Sequence, residues 1–282
     1  MTDARESECI RSGFEFVEGP VWVCAGSPLL AGIEAPGGAL VFSDIPASRL
    51  HWLAGNRTGV LREATGQANG NALDRDGALL SCEHANRRVS RFDGAGPAVC
   101  LVDRYGGKRL NSPNDLAVRS DGMVFFTDPP YGVRDEDREL DLQGVYGVRP
   151  GADEPVLLAE DFVKPNGLAF SADERFLYVA DTERGHVRRF EVAADGRLAG
   201  GRRFCDCERP DGLCIDRADR VWVACMDGLE IFDADGTRAA SVPLLERPAN
   251  LAFGDADLKS VYICARTGIY RVRSAVAGVA PA

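Results

Sequence analysis

Short apolar runs broken by polar turns fill the chain from end to end. FLYVAD, then TERG, then HVRRFEV is the cleanest case: an apolar strand, a reversal, and a strand in which Val187 and Phe190 restart the pattern. Turn residues such as Asp, Gly and Ser stand between the runs and free the backbone to reverse. No stretch longer than about ten residues sustains a helical period, so a parallel sheet would have no crossover helices to build it. The pattern predicts an all-β protein.

The runs also repeat. NGNALDRDGALLSCEHANRRVSRFD from Asn69, PNDLAVRSDGMVFFTDPPYG from Pro113 and PNGLAFSADERFLYVADTERGHVRRFEV from Pro165 align with one another. PDGLCIDRADRVWVACMDGLEIFD from Pro210 and PANLAFGDADLKSVYICARTGIYRV from Pro248 extend the series. A more diverged copy lies at the front, where EGPVW from Glu18 is followed, after an insertion, by GALVFSDIPASRLHWL. Six copies of about 47 residues fit the blades of a β-propeller, in which radially repeated four-stranded sheets protect their edges. The reading is a six-bladed β-propeller formed by residues 1–282 as a single domain, in preference to a solenoid of stacked repeats. The front segment CIRSGFEFVEG is expected to supply an outer strand to the last blade and close the ring.

Glu18, Asn69, Asn114, Asn166, Asp211 and Ala249 open the innermost strands of the six copies. Equivalent positions of a closed ring converge at one end of its channel. Five of these residues carry a side-chain oxygen, and four of the six are followed by Gly, which lets another group approach the backbone closely. Asn and Asp also cap ordinary turns, but Glu is no turn former. Converging carboxylate and amide oxygens suit a hard divalent cation such as calcium, with about 6 to 8 oxygen ligands. Glu18, Asn166 and Asp211 are the best candidates, with Asn114 fourth.

Composition removes other chemistries. The chain carries 43 acidic against 33 basic residues, a formal net charge of −10, which disfavours nucleic acid and anionic lipid as partners. No apolar run approaches the length of a bilayer span, and the start MTDARESECIRS lacks the basic and apolar regions of a signal peptide, so a cytoplasmic location is expected. Nine scattered cysteines do not form a disulfide framework. Cys82, Cys225 and Cys264 lie in apolar runs and read as core. The pair Cys205 and Cys207 has no second pair or nearby histidine to complete a soft-metal site, and three histidines are too few for a histidine-based zinc centre.

FVEGPVW, SPNDLAVRSDGMVFFTDPPYG, KPNGLAFSADERFLYVADT and RPDGLCIDRADRVWVAC, taken in order, resemble the SMP-30/gluconolactonase/LRE-like family, most closely its bacterial gluconolactonase branch. The resemblance covers roughly residues 14 to 272. It implies a six-bladed propeller with one divalent cation in its channel, held by Glu18, Asn166 and Asp211, with Asn114 beside cation and substrate. Calcium is the first expectation for that ion, with zinc, manganese and magnesium as substitutes. It also implies hydrolysis of a sugar lactone to the aldonic acid, with Asp211 as proton acceptor. His84, Asp128 and Tyr131, at the ends of second strands, are further candidates for holding substrate hydroxyls. Senescence-marker members carry an arginine where this chain has Ser112, so that residue's substrate contacts do not transfer. The alternatives are a metal-dependent phosphotriesterase, a non-catalytic propeller that binds protein partners, and a strictosidine-synthase-like enzyme. The charged segment 132–144, GVRDEDRELDLQG, is a candidate lid over the channel mouth.

Overall fold

The computed structural model describes residues 7–280. Six antiparallel four-stranded sheets follow one another around a ring as the blades of a β-propeller. The innermost strands are Val17–Val23, Ala68–Leu73, Leu116–Val118, Pro165–Phe170, Leu213–Ile215 and Pro248–Gly254, for blades 1 to 6 in order. In blades 1 to 5 the next three strands follow outward in chain order. Blade 6 is composite: its outermost strand is Glu8–Ser12, which pairs antiparallel with Gly268–Arg273, so the front of the chain closes the ring as the sequence predicts. Among the described residues, no helix is long and apolar enough to cross a membrane.

The wholly apolar second strands have a simple cause. Each blade is sandwiched between two others, so both faces of its middle strands are buried. In blade 3, Phe125 packs toward blade 4 with Leu177, Val179 and Phe190, while Phe126 packs toward blade 2 with Leu80, Cys82 and Val89. An apolar cluster of this kind fills each of the six interfaces between neighbouring blades. Cys82, Cys225 and Cys264 are buried in these clusters, and Cys205 and Cys207 join the one between blades 4 and 5. All nine cysteines are free thiols.

At the inner rim the blades are tied through polar groups. The Asn69 carbonyl accepts a bond from the Ser43 hydroxyl of blade 1, at 2.7 Å, and the Asn166 carbonyl accepts one from Thr127 of blade 3, at 2.8 Å. Backbone amides make the other links: Gly70 to the Asn114 carbonyl, Gly167 to Asp211 and Gly212 to Ala249, at 2.9, 3.3 and 2.7 Å. Every residue that opens an inner strand from blade 2 to blade 6 is therefore bonded, through its carbonyl, to the blade before it. The glycines make this possible. A Cβ on Gly167 would lie 2.6 Å from the Asp211 carbonyl oxygen, and one on Gly70 would lie 2.7 Å from that of Asn114, so no larger residue fits.

Candidate metal centre

One end of the channel opens into a cavity of about 280 Å³. Glu18, Asn69, Asn114, Asn166, Asp211 and Ala249, one residue from each blade, all line it, and so do His84 and Tyr131. The convergence that the repeat predicts is present.

Glu18 is buried, and its Oε2 accepts the amide of Gly19 at 2.6 Å. Burial raises its pKa well above the ordinary carboxyl value, and repulsion from Asp211 and Asp115 raises it further. Asp211 keeps 17% of its side chain exposed, and burial lifts its carboxyl to about 7 against the opposing pull of Arg247. Asn166 donates from Nδ2 to the Thr182 hydroxyl at 3.1 Å and to the Tyr131 hydroxyl at 3.4 Å, while its Oδ1 accepts no hydrogen bond among the described residues. Thr182 in turn donates to the Pro210 carbonyl at 2.7 Å, which ties Asn166 to the segment bearing Asp211.

Two features fit a cation here. Two carboxylates line one small cavity, both resisting ionisation chiefly because they are buried, and Glu18 further because Asp211 is near. The buried Oδ1 of Asn69, which also lines the cavity, has no hydrogen-bond partner. An unpaired buried oxygen and a repelling carboxylate pair are both costly by themselves, and a hard cation relieves both. No group of three or more His, Cys, Asp and Glu residues clusters to hold a metal among the described residues, so amide oxygen would have to complete the set.

His84 is buried beside Asn69, with its Nε2 3.1 Å from Asn69 Nδ2. Burial depresses its pKa to about 4, so the ring is neutral at pH 7 and accepts from the amide. Tyr131 is 40% exposed, with the Lys164 ammonium 4.6 Å above its ring. Asp128 departs from expectation: it does not line the cavity. It is fully buried, and its carboxylate accepts the amides of Asn111 and Ser112 at 2.7 and 2.8 Å. Asp44 does the same for Glu15 and Phe16, and Asp181 for Val163 and Lys164. In each case the two amides lie three and two residues before the residue that opens the inner strand. Asp128 is thus a clip that positions Asn114, and both its oxygens are occupied.

The segment 132–144 contributes no residue to the cavity lining. It is held down by Arg87, which donates to the Asp137 carbonyl at 3.1 Å, and by burial of Leu140. Sequence reasoning missed Arg209, Arg247 and Arg266, which line the cavity on the side of blades 5 and 6. The signal was present in the motifs KPNG, RPDG and RPAN, where a basic residue precedes the proline in three successive blades.

Comparison with known proteins places this architecture. A gluconolactonase of Zymomonas mobilis is 29% identical over 311 residues, covering 96% of this chain and 82% of its own length. A pentonolactonase of Haloferax volcanii is also 29% identical, over 89% of this chain and 81% of its own. The solved structure of a Xanthomonas campestris gluconolactonase superposes with a TM-score of 0.85 at 34% identity, covering 95% of this chain and 89% of that one. The SMP-30/gluconolactonase/LRE-like region model matches residues 16–267. With motifs, fold and family model in agreement, the chain belongs to the SMP-30/gluconolactonase/LRE-like family.

Proposed function

We propose that the chain is a single-domain, cytoplasmic lactonase that opens sugar lactones to their aldonic acids with the help of one divalent cation. The observation that carries the reading is the meeting of Glu18, Asn166 and Asp211, from three blades, on one small cavity. The gluconolactonase and pentonolactonase relatives favour lactone chemistry over phosphotriester hydrolysis or a role as a protein-binding platform.

Glu18, Asn166 and Asp211 would hold the ion, and the all-oxygen donor set favours calcium. Such an ion, when bound, polarises a carbonyl and makes a bound water more acidic. Asp211 takes the proton of the attacking water at its carboxylate, whose basicity burial raises and a bound cation would reduce. Asn114, from the SPND motif, orients a substrate hydroxyl. Tyr131 offers a second contact through its half-exposed ring and hydroxyl. His84 acts through Asn69, whose amide it orients.

The test is acid release from a panel of sugar lactones with and without chelator. Turnover should vanish in chelator and return with added calcium, zinc, manganese or magnesium. Glu18→Gln and Asp211→Asn should each reduce kcat/KM by roughly a hundredfold or more, as loss of a group acting on the transition state does, while leaving the thermal midpoint close to that of the wild type. Unchanged turnover by demonstrably metal-free protein would refute the cation's role, and near-normal rates in both variants would place the chemistry elsewhere.

A further inference from the structure

The cavity is charged unevenly. Its acidic lining residues are Glu18 and Asp211, whereas Arg209, Arg247 and Arg266 line it from blades 5 and 6. Lys164, above the ring of Tyr131, extends the basic arc to blade 4. The corresponding positions before the inner strands of blades 1 to 3 are Phe16, Gln67 and Ser112, none of them charged. In a chain of net charge −10, gathering three arginines on one half of a single cavity, with Lys164 over a lining tyrosine, calls for an explanation.

The arginines are not consumed by structural pairing. Arg266 forms no ion pair among the described residues and lies over the Phe16 ring at 5.9 Å. Arg209 meets Glu183 at 3.4 Å, but both side chains are about 40% exposed, where such pairs contribute little. Arg247 donates to the Arg209 carbonyl at 3.5 Å, and its one ion-pair partner among the described residues is Asp211, at 3.8 Å, a carboxylate with a cation to hold in the function proposed above. Guanidinium groups match carboxylate and phosphate oxygens in a planar, two-pronged geometry. A neutral sugar lactone offers them hydroxyl and carbonyl oxygens but no anion to match their charge.

Resting on the lactonase reading, we infer that the natural substrate is an anionic sugar lactone, bearing a carboxylate or phosphate on the part of the molecule remote from the lactone carbonyl and held by Arg209, Arg247 and Arg266.

Three lactones of matched ring separate the possibilities: glucono-1,5-lactone, neutral at C6, its counterpart with a carboxylate at C6, and 6-phosphogluconolactone. The wild type should show kcat/KM higher by roughly tenfold or more for at least one of the anionic lactones, as charge-assisted hydrogen bonds imply. The ratio should shrink with added salt. Preference for the carboxylate or for the phosphate identifies which anion the arc accepts. Arg247→Gln combined with Arg266→Gln should collapse the ratio toward one. In calorimetric titration, the open dicarboxylate glucarate should bind the wild type more tightly than gluconate, and should lose that advantage in the double variant. A wild-type ratio near one for both anions, with lactones turned over, overturns this inference alone. So does an unchanged ratio in the double variant, which would mean that the arginines serve the carboxylate formed in every lactone opening. No turnover of any lactone overturns the lactonase reading and this inference with it.

Discussion

His84 shows how one residue can line a site without doing acid-base work in it. Its ring is buried beside Asn69, and burial depresses its pKa to about 4, below the 6.5 of an unperturbed histidine. The neutral ring accepts from Asn69 and leaves that residue's Oδ1 free at the cavity. Between about pH 6.5 and 4 the unfolded chain binds a proton here that the folded chain does not. The contribution to stability is therefore full above pH 6.5 and is lost as the pH falls through that window, by an amount on the order of 3 kcal/mol. Nuclear magnetic resonance titration should find the His84 ring unchanged from pH 8 to 5.5 and protonating near pH 4. Titration near 6.5 would show that the ring is not sealed from water.

At the level of elements, the aspartates that end second strands set the aim of the inner ones. Asp44, Asp128 and Asp181 each grip two successive amides just before Glu18, Asn114 and Asn166. Replacing Asp128 by Asn keeps one acceptor but turns an N–H toward the second amide. This should lower stability by about 1–3 kcal/mol, as leaving a buried donor unpaired does, read as a lower urea midpoint with unchanged slope. A midpoint equal to that of the wild type would mean that the clip bears no load.

The clip also shows where the sequence was legible and where it was not. Strand order, blade number and the convergence of Glu18, Asn166 and Asp211 followed from the repeat, because equivalent positions of a ring must meet. Asp128 was misassigned because periodicity tells which residues recur at the end of a strand but not whether their side chains point along the channel or back into the loop. The arginines escaped notice for a related reason. A basic residue before proline reads as ordinary surface until the ring brings Arg209 and Arg247 to the same opening as Arg266, which lies in the turn between Ser260–Ala265 and Gly268–Arg273.

On the scale of the whole molecule, the acidic balance and the basic arc are complementary. A surface of net charge −10 repels anions in general, while three arginines on one side of the cavity, with Lys164 over Tyr131, create a local field of the opposite sign. On the inference of an anionic substrate, selection among anions would happen at the mouth.

The bonds between successive blades at the inner rim have a thermodynamic consequence for the proposed cation. Asn166 and Asp211 are held through their own carbonyls by the neighbouring blade, and Glu18 by its own succeeding amide, before any ion arrives. Nothing in the backbone remains to be ordered, and little apolar surface is left to cover. Calorimetry of calcium binding to chelator-treated protein should accordingly give a heat-capacity change near zero, where a site that folds around its ion would give a large negative one. The ring would then behave toward its ion as a rigid macrocycle does, with an affinity set by the fit of a cage that was closed when the chain folded.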